Sequence, residues 1–410
     1  MAGKIRISQG VVAAIILFIV LATRMGGNIF IPSIPVITDE FGITKSQATL
    51  NINLYTFFLA VSYAFFGPFA DAIKKRMLLL FGSITCAVGY LMCGLAVNII
   101  MIDAGWVIIA VGSALTIITA QTWIGDRSRK DNLLSRLAWF SILVSMAPML
   151  APVLGGYITD HYSWRWNFWL MLILSFIVIT IIILLKSSKN DQHKKDANLN
   201  PLNLLKTYKE VILRTPLIRI NLIVYVMFMF QGAYCTFSSF LFVDEMGFSA
   251  TKYGLVSLFL VCGLFLGRIP TVYLAKKITI RSVMLINTGI VFLSLAASLL
   301  FFFIEKRHSS IEIIALMTVM CLGFGGLSVL GPRNSMLLDP PRKGTFAGLN
   351  SFLNQMTGWL GIMFTQFFYR YNMTSIEAYN YFLIISLVLL IASTILFLST
   401  YKSVKTLLEN

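Results

Sequence analysis

Arg24 stands in the middle of an apolar segment, GVVAAIILFIVLATRMGGNIFIPSIP, that runs from Gly10 to Pro35. All 17 acidic residues fall in polar stretches or near the ends of apolar ones, so no carboxylate sits at mid-segment. In a bilayer, an uncompensated guanidinium at mid-depth costs about 2.5–3.5 kcal/mol on insertion scales. A charge kept at that cost usually borders a water-filled cavity or meets a ligand. A guanidinium in a low-dielectric cavity matches a carboxylate or phosphate through two parallel hydrogen bonds. The other reading is a structural arginine that bonds helix carbonyls or reaches for the interface. Arg24 lies 14 residues from Gly10 and 11 from Pro35, which is deep for such reaching.

Few other side chains could do chemistry at this depth. Arg268 and Arg333 lie nearer the ends of their apolar segments and read as gate residues or as side chains reaching the interface. If they share a cavity with Arg24, they strengthen a site for anions. Asp103 lies about one turn inside its segment, where it either titrates or simply favours a helix N-terminus. Asn28, Gln121, Gln231, Tyr234 and Asn354 either line a cavity or bond a neighbouring helix. Trp106 and Trp359 offer aromatic walls or plain packing. His161, His193 and His308 all fall in polar stretches, and the five cysteines form no CxxC. No catalytic set, metal site, cofactor or disulfide framework is expected, and the chain does not read as an enzyme.

The elements that must position these residues are membrane helices. Hydrophobic residues make up 58% of the chain and charged residues 12%, about half the charge a soluble domain carries. Apolar runs predict twelve spans near 10–35, 46–70, 77–97, 99–124, 135–158, 165–186, 216–243, 250–274, 282–304, 311–337, 344–368 and 376–400. The net charge of +16 suggests nucleic acid until its placement is read. With both termini on one side, that side carries 24 of the 33 Lys and Arg and the other carries 6, with three inside spans. This bias predicts cytoplasmic termini and removes the nucleic-acid reading. The polar stretch 187–215 separates residues 1–186 from 216–410. Leu202, Leu205, Tyr208 and Ile212 within it predict a short helix on the membrane face.

The two halves echo each other. Asp39-Glu40 precedes Phe41-Gly42-Ile43-Thr44-Lys45, and Asp244-Glu245 precedes Met246-Gly247-Phe248-Ser249. Such repeats suggest a transporter with its site at the midplane between the halves. In the fifth span, Pro148 and Pro152 remove two backbone donors, and Gly155-Gly156 permit close helix approach. The run Ala147-Pro148-Met149-Leu150-Ala151-Pro152-Val153-Leu154-Gly155-Gly156 resembles motif C of the major facilitator superfamily, in the form used by Bcr/CflA-type drug exporters. Gly67-Pro68-Phe69-Ala70-Asp71 with Lys74-Lys75-Arg76 is similar to motif A, in which Asp71 and the basic cluster, Arg76 included, can latch a cytoplasmic gate. Ile31-Pro32-Ser33-Ile34-Pro35 resembles LPxLP. Ala233 to Phe240 and Gly344 to Gly348 also fit.

The resemblance implies the major facilitator fold: an all-α membrane protein, twelve transmembrane helices in two six-helix bundles joined by a linker. It also implies a bacterial inner-membrane carrier that works as a monomer on a small molecule, with protons as the candidate coupling ion. Departures matter equally. Asn28 stands where these exporters usually carry an acid, Trp106 where they carry an arginine, and Lys74 in place of a motif A glycine. The reading that follows is a secondary transporter for an anionic organic molecule, a polycarboxylate or citrate-type siderophore among them, with export favoured by motif C. The competing reading is a proton-coupled multidrug exporter for neutral or zwitterionic compounds.

Overall fold

The computed structural model describes residues 9–126, 147, 150–184, 217–275, 277–305, 309–338, 343–371 and 373–409. These residues form helices and no strand. In chain order they are α1 Gln9–Gly26, α2 Ile34–Phe41, α3 Lys45–Ala72, α4 Lys75–Gly94, α5 Ile99–Asp126, α6 (150–161), α7 Arg165–Leu184, α8 Leu217–Phe240, α9 Ala250–Leu274, α10 Ile280–Glu305, α11 Ser310–Leu338, α12 Lys343–Arg370 and α13 Ser375–Glu409. Ten helical stretches among the described residues are long and apolar enough to cross a membrane. The helix Lys343–Arg370 has the length but carries Asn350, Asn354, Gln355 and Gln366, which lower its hydropathy. The predicted fifth span is described only at 147 and from 150 onward, and the linker 187–215 lies outside the described residues.

Two boundaries differ from the sequence reading. The last helix continues to Glu409 rather than ending near 400. The first span does not end at Pro35: it breaks after Gly26, passes through a 3-10 turn at Ile31–Ser33, and resumes as α2 to Phe41. Pro32 and Pro35 sit second in those two short elements, within the first turn, where a missing N–H leaves no intrahelical bond unmade.

The matching loops fold alike. Gly42 and Gly247 adopt left-handed φ values of 58° and 68°, which glycine tolerates without steric cost. Two residues after each, Thr44 and Ser249 cap the next helix through the backbone N–H groups of Gln47 and Lys252. α4 and α5 pack together with their glycines interleaved: Gly82 lies against Gly112, and Gly89 against Gly105.

Helices α1–α7 form one set of neighbours and α8–α13 another; α3 against α12 and α6 against α9 join them. The joint is polar at the end that carries Lys45. Lys45 pairs with Asp244 at 3.1 Å. Asn53 donates to Gln366 Oε1 at 2.9 Å and accepts from Trp359 Nε1, while Gln366 Nε2 donates to the Ser46 carbonyl at 3.0 Å. At this end the two halves are closed on each other.

Candidate functional site

A cavity with about 730 Å3 of empty space, its open mouth included, lies between the two sets of helices. Its walls come from the break in span one, from α6, and from α8, α9 and α11. Asn28, Gln231 and Tyr234, all singled out from the sequence, line it, as does Pro152. The remaining wall is mostly apolar and soft, with Met227, Met317 and Met320 among its residues beside Tyr253 and Ser257. Thioether side chains have three free torsions and fit varied shapes. No charged residue is among the described residues that line the cavity.

Two arginines lie one turn in sequence from residues that line it. Asn28 donates to the Arg24 carbonyl at 3.0 Å, so Arg24 lies one helical turn below a cavity residue on the same face of span one. The Arg24 guanidinium donates to Tyr63 Oη at 3.1 Å, and its Nε is buried without a hydrogen-bond partner among the described residues. On the opposite half, Leu264 and Phe324 line the cavity, and Arg268 and Ser328 follow them by one turn each. Arg268 Nε donates to Ser328 Oγ at 3.3 Å. Arg24 and Arg268, one from each half, thus stand one turn beyond cavity residues on the side away from Lys45, and neither side chain is among the cavity's lining. No ion pair joins Arg24 to an acid among the described residues.

Other sequence candidates fall elsewhere. Trp106, expected as a cavity wall, has 0% of its surface exposed. It packs against Phe30, Tyr55 and Phe168, because its helix turns that face toward span one and α7. Gln121 and Asn354 are not among the cavity residues, and Asn354 Oδ1 is buried without a partner among the described residues. Asp103 is also outside the cavity; its Oδ1 is buried without a partner in the described set. Arg76 donates to the carbonyls of Ile182 and Ile183 at 3.0 and 2.6 Å, at the C-terminal end of α7. Pro148 and the side chains of Asp71 and Arg333 lie outside the described residues.

The glycines of motif C make the tightest contacts at the closed end. A Cβ on Gly155 would lie 1.7 Å from the Ile29 carbonyl oxygen. One on Gly156 would lie 2.3 Å from that of Ala250, at the start of α9. Gly254 meets the Pro152 carbonyl in the same way, at 2.4 Å. The break in span one is anchored by a buried network that the sequence reading missed. Asn167 donates to Ser33 Oγ and Thr159 Oγ1 at 3.0 Å each, and those two hydroxyls lie 2.6 Å apart. A buried amide flanked by serine and threonine is a signal only once the helices are assembled.

The comparisons agree with this architecture. The chain is 24% identical over 352 residues to the chloramphenicol resistance protein CraA of Acinetobacter baumannii, covering 83% of this chain and 81% of that one. It is 26% identical over 181 residues to an uncharacterized MFS-type transporter of Mycobacterium tuberculosis, which spans 43% of this chain and 25% of that protein. Among solved structures, a peptide transporter POT in complex with sulfate aligns at TM-score 0.74 with 15% identity, covering 100% of this chain and 97% of its own. A bacterial homolog of the human lysosomal transporter Spinster, inward-facing and unoccupied, aligns at TM-score 0.70 with 14% identity over 95% and 98%. These likenesses are to transporters and not to enzymes. Residues 16–366 match the family description directly, and the chain belongs to the Major Facilitator Superfamily.

Proposed function

We propose that this carrier exports a small organic anion with an apolar body across the bacterial cytoplasmic membrane, by secondary active transport and alternating access. The observation that carries the reading is the position of Arg24 and of Arg268, each one turn in sequence beyond a residue of a cavity that has no charged residue among its described lining. A carboxylate that reaches either guanidinium gains charge-assisted hydrogen bonds, and the methionine wall takes the apolar remainder. Polycarboxylates and citrate-type siderophores suit the arginine end when they also carry an apolar portion. The positive-residue bias supports cytoplasmic termini, which makes the Lys45 end the outer one and the arginine end the inner one. The motif C glycines support export. Asp103 is the acid that the spans offer for proton coupling.

The second reading is efflux of neutral or zwitterionic drugs. The likeness to CraA and the apolar lining favour it. Transport into proteoliposomes of an aryl carboxylate, its carboxamide and chloramphenicol separates the two. The anion reading expects the carboxylate to move at least tenfold faster than the carboxamide, a ratio equivalent to about 1.4 kcal/mol. Transport of the two neutral compounds alone establishes the second reading instead.

Gln231 and Tyr234 lie on the shared wall, so they serve either substrate class. Gln231→Ala and Tyr234→Ala are each expected to raise KM roughly five- to tenfold for every transported compound, the loss of one buried hydrogen bond or aromatic contact. Radiotracer uptake at varied concentration measures this.

A further inference from the structure

We propose that the cavity carries a site for a soft, thiophilic metal ion of the Cu(I) class, built from Cys235 on α8 and from Met317, Met320 and Cys321 on α11. The inference stands on the cavity wall and not on the charge of the transported compound. Five of the sixteen described residues that line the cavity carry sulfur: Met227, Cys235, Met317, Met320 and Cys321. The chain has 18 methionines and five cysteines in 410 residues, so composition alone would place about one on such a wall. No Asp, Glu or His is among the described lining. Thiol and thioether sulfur without a hard donor suits Cu(I), whereas Mg2+ and Ca2+ take oxygen. Zn2+ draws on thiolate, imidazole and carboxylate, and not on thioether.

The register of α8 against α11 brings these sulfurs to one level. Asn221 donates to the Gly331 carbonyl at 3.4 Å. Seven residues on along α8 and seven back along α11, the rings of Phe228 and Phe324 lie 5.3 Å apart, edge to face. The two helices are therefore antiparallel neighbours, and a step of seven residues is close to two full turns. One further step leads to Cys235 and Met317, and both line the cavity. Met320 and Cys321 follow Met317 at spacings of three and four, on the same helical face. The thiols of Cys235 and Cys321 are close enough to interact electrostatically. Both cysteines are half-buried, so the cavity gives access to them. Met317 and Met320 are more deeply buried, and their three free torsions let the thioethers turn toward an ion. Met227 lies about two turns from Cys235 along α8 and is not part of the set.

A cation in an apolar cavity is costly unless its charge is neutralised. No carboxylate is on the described wall to do this, and a thiol can. Cys–SH and M+ give Cys–S−–M+ and a proton that passes to water, so the site stays neutral. The second thiol and the thioethers coordinate as uncharged donors, and no electron changes hands. The other cysteines are placed elsewhere. Cys86 and Cys93 are buried between α4 and α5, where their Sγ atoms donate to the Ile109 and Ile102 carbonyls at 3.7 Å each. Cys262 lies on α9 outside the cavity lining. No group of three or more His, Cys, Asp and Glu among the described residues is placed to hold a metal, so the thioethers are what turn two thiols into a site. Cys235 and Cys321 are 86 positions apart, which is why no short motif marks them.

The probe is Cu(I), kept reduced by ascorbate without oxygen and offered to the full chain in lipid nanodiscs as its coloured complex with bicinchoninate. The colour falls as the ion leaves the chelator. The unaltered carrier is expected to take up a single Cu(I). Cys235→Ser and Cys321→Ser should each weaken binding by about 100-fold or more, and Met317→Leu and Met320→Leu by about tenfold each. Cys262→Ser should leave it unchanged. These substitutions nearly keep side-chain volume, and unfolding midpoints recorded without metal verify that each variant is folded. X-ray absorption at the copper edge needs no variant, and sulfur neighbours alone are expected there. Absence of Cu(I) uptake, nitrogen or oxygen neighbours at the ion, or binding unchanged in the serine variants overturns the site. Binding that falls in the serine variants and in neither leucine variant also overturns it, because thiols alone then account for the uptake. Loss of the site leaves the comparison of carboxylate and carboxamide transport standing, and a failure of that comparison leaves the site standing.

Discussion

Replacing Arg24 by alanine is expected to abolish transport of the anionic compound while the protein folds and inserts as well as before. The interaction lost is a charge-assisted hydrogen-bond pair with the substrate, worth about 1.5–3 kcal/mol per bond. The expected fall in kcat/KM is therefore roughly 10- to 150-fold for one bond and larger for two. The fold does not depend on the side chain to the same degree. Its described tertiary hydrogen bond is the one to Tyr63, and removing a mid-membrane cation relieves about 2.5–3.5 kcal/mol of insertion cost. Thermal unfolding of the detergent-purified variant should show an unchanged or raised midpoint. Arg24→Lys keeps the charge and loses the planar fork, so it falls between the two. Tyr63→Phe is the control. If Arg24 serves only to hold α1 against α3, Tyr63→Phe reproduces the defect of Arg24→Ala for carboxylate and carboxamide alike. If Arg24 meets the substrate, the loss in Arg24→Ala is confined to the anion. Full anion transport by Arg24→Ala ends the proposal for this residue.

How much of this could be read from the sequence depends on what fixed each feature. Hydropathy and span length set the helices, because lipid leaves a spanning backbone no partner but itself. The Gly42 and Gly247 loops were legible as a repeat because both follow an acidic pair in the same order, while their left-handed glycines and capping hydroxyls emerged only from the backbone. The cavity positions of Asn28, Gln231, Tyr234 and Pro152 were legible because a polar or helix-breaking residue in an apolar run stands out against its neighbours. The methionine wall was not: Met227, Met317 and Met320 look like any apolar residue until the faces of α8 and α11 are seen to meet. Trp106 failed for the complementary reason, since burial on all sides is a property of the assembled bundle. Arg76 looked like part of a gate because its neighbours match a family motif, but its partners, Ile182 and Ile183, are more than a hundred positions away in the chain. The contacts that close the Lys45 end were hidden in the same way. Asn53, Trp359 and Gln366 join helices from opposite halves, and no local pattern marks them as partners.

Gly156→Ala should hold the carrier open at the Lys45 end, and Gly155→Ala should instead weaken the fold. Both glycines belong to one motif and differ in what they touch. The atom facing Gly156 is the Ala250 carbonyl oxygen on the opposite half, so a methyl group there can be accommodated by separating the halves. The atom facing Gly155 is the Ile29 carbonyl oxygen in the same half, where the break in span one is pinned by Ser33, Thr159 and Asn167. That strain has no comparable hinge through which to escape. Overpacking of this kind costs about 1–3 kcal/mol. For Gly156→Ala the cost appears as a shift of roughly 5- to 150-fold toward the open state, with transport slowed in proportion and the unfolding midpoint nearly unchanged. For Gly155→Ala it appears as a lowered midpoint. Gly289→Ala, where an added Cβ meets nothing within 4 Å, should change neither quantity. Distances between spin labels at positions 162 and 371, exposed sites on opposite halves at this end, recorded with thermal unfolding of the same preparations, test both assignments. An unchanged distance in Gly156→Ala, together with a midpoint lowered as far as in Gly155→Ala, would show that the glycine pair is a packing feature of the bundle and not part of its gate.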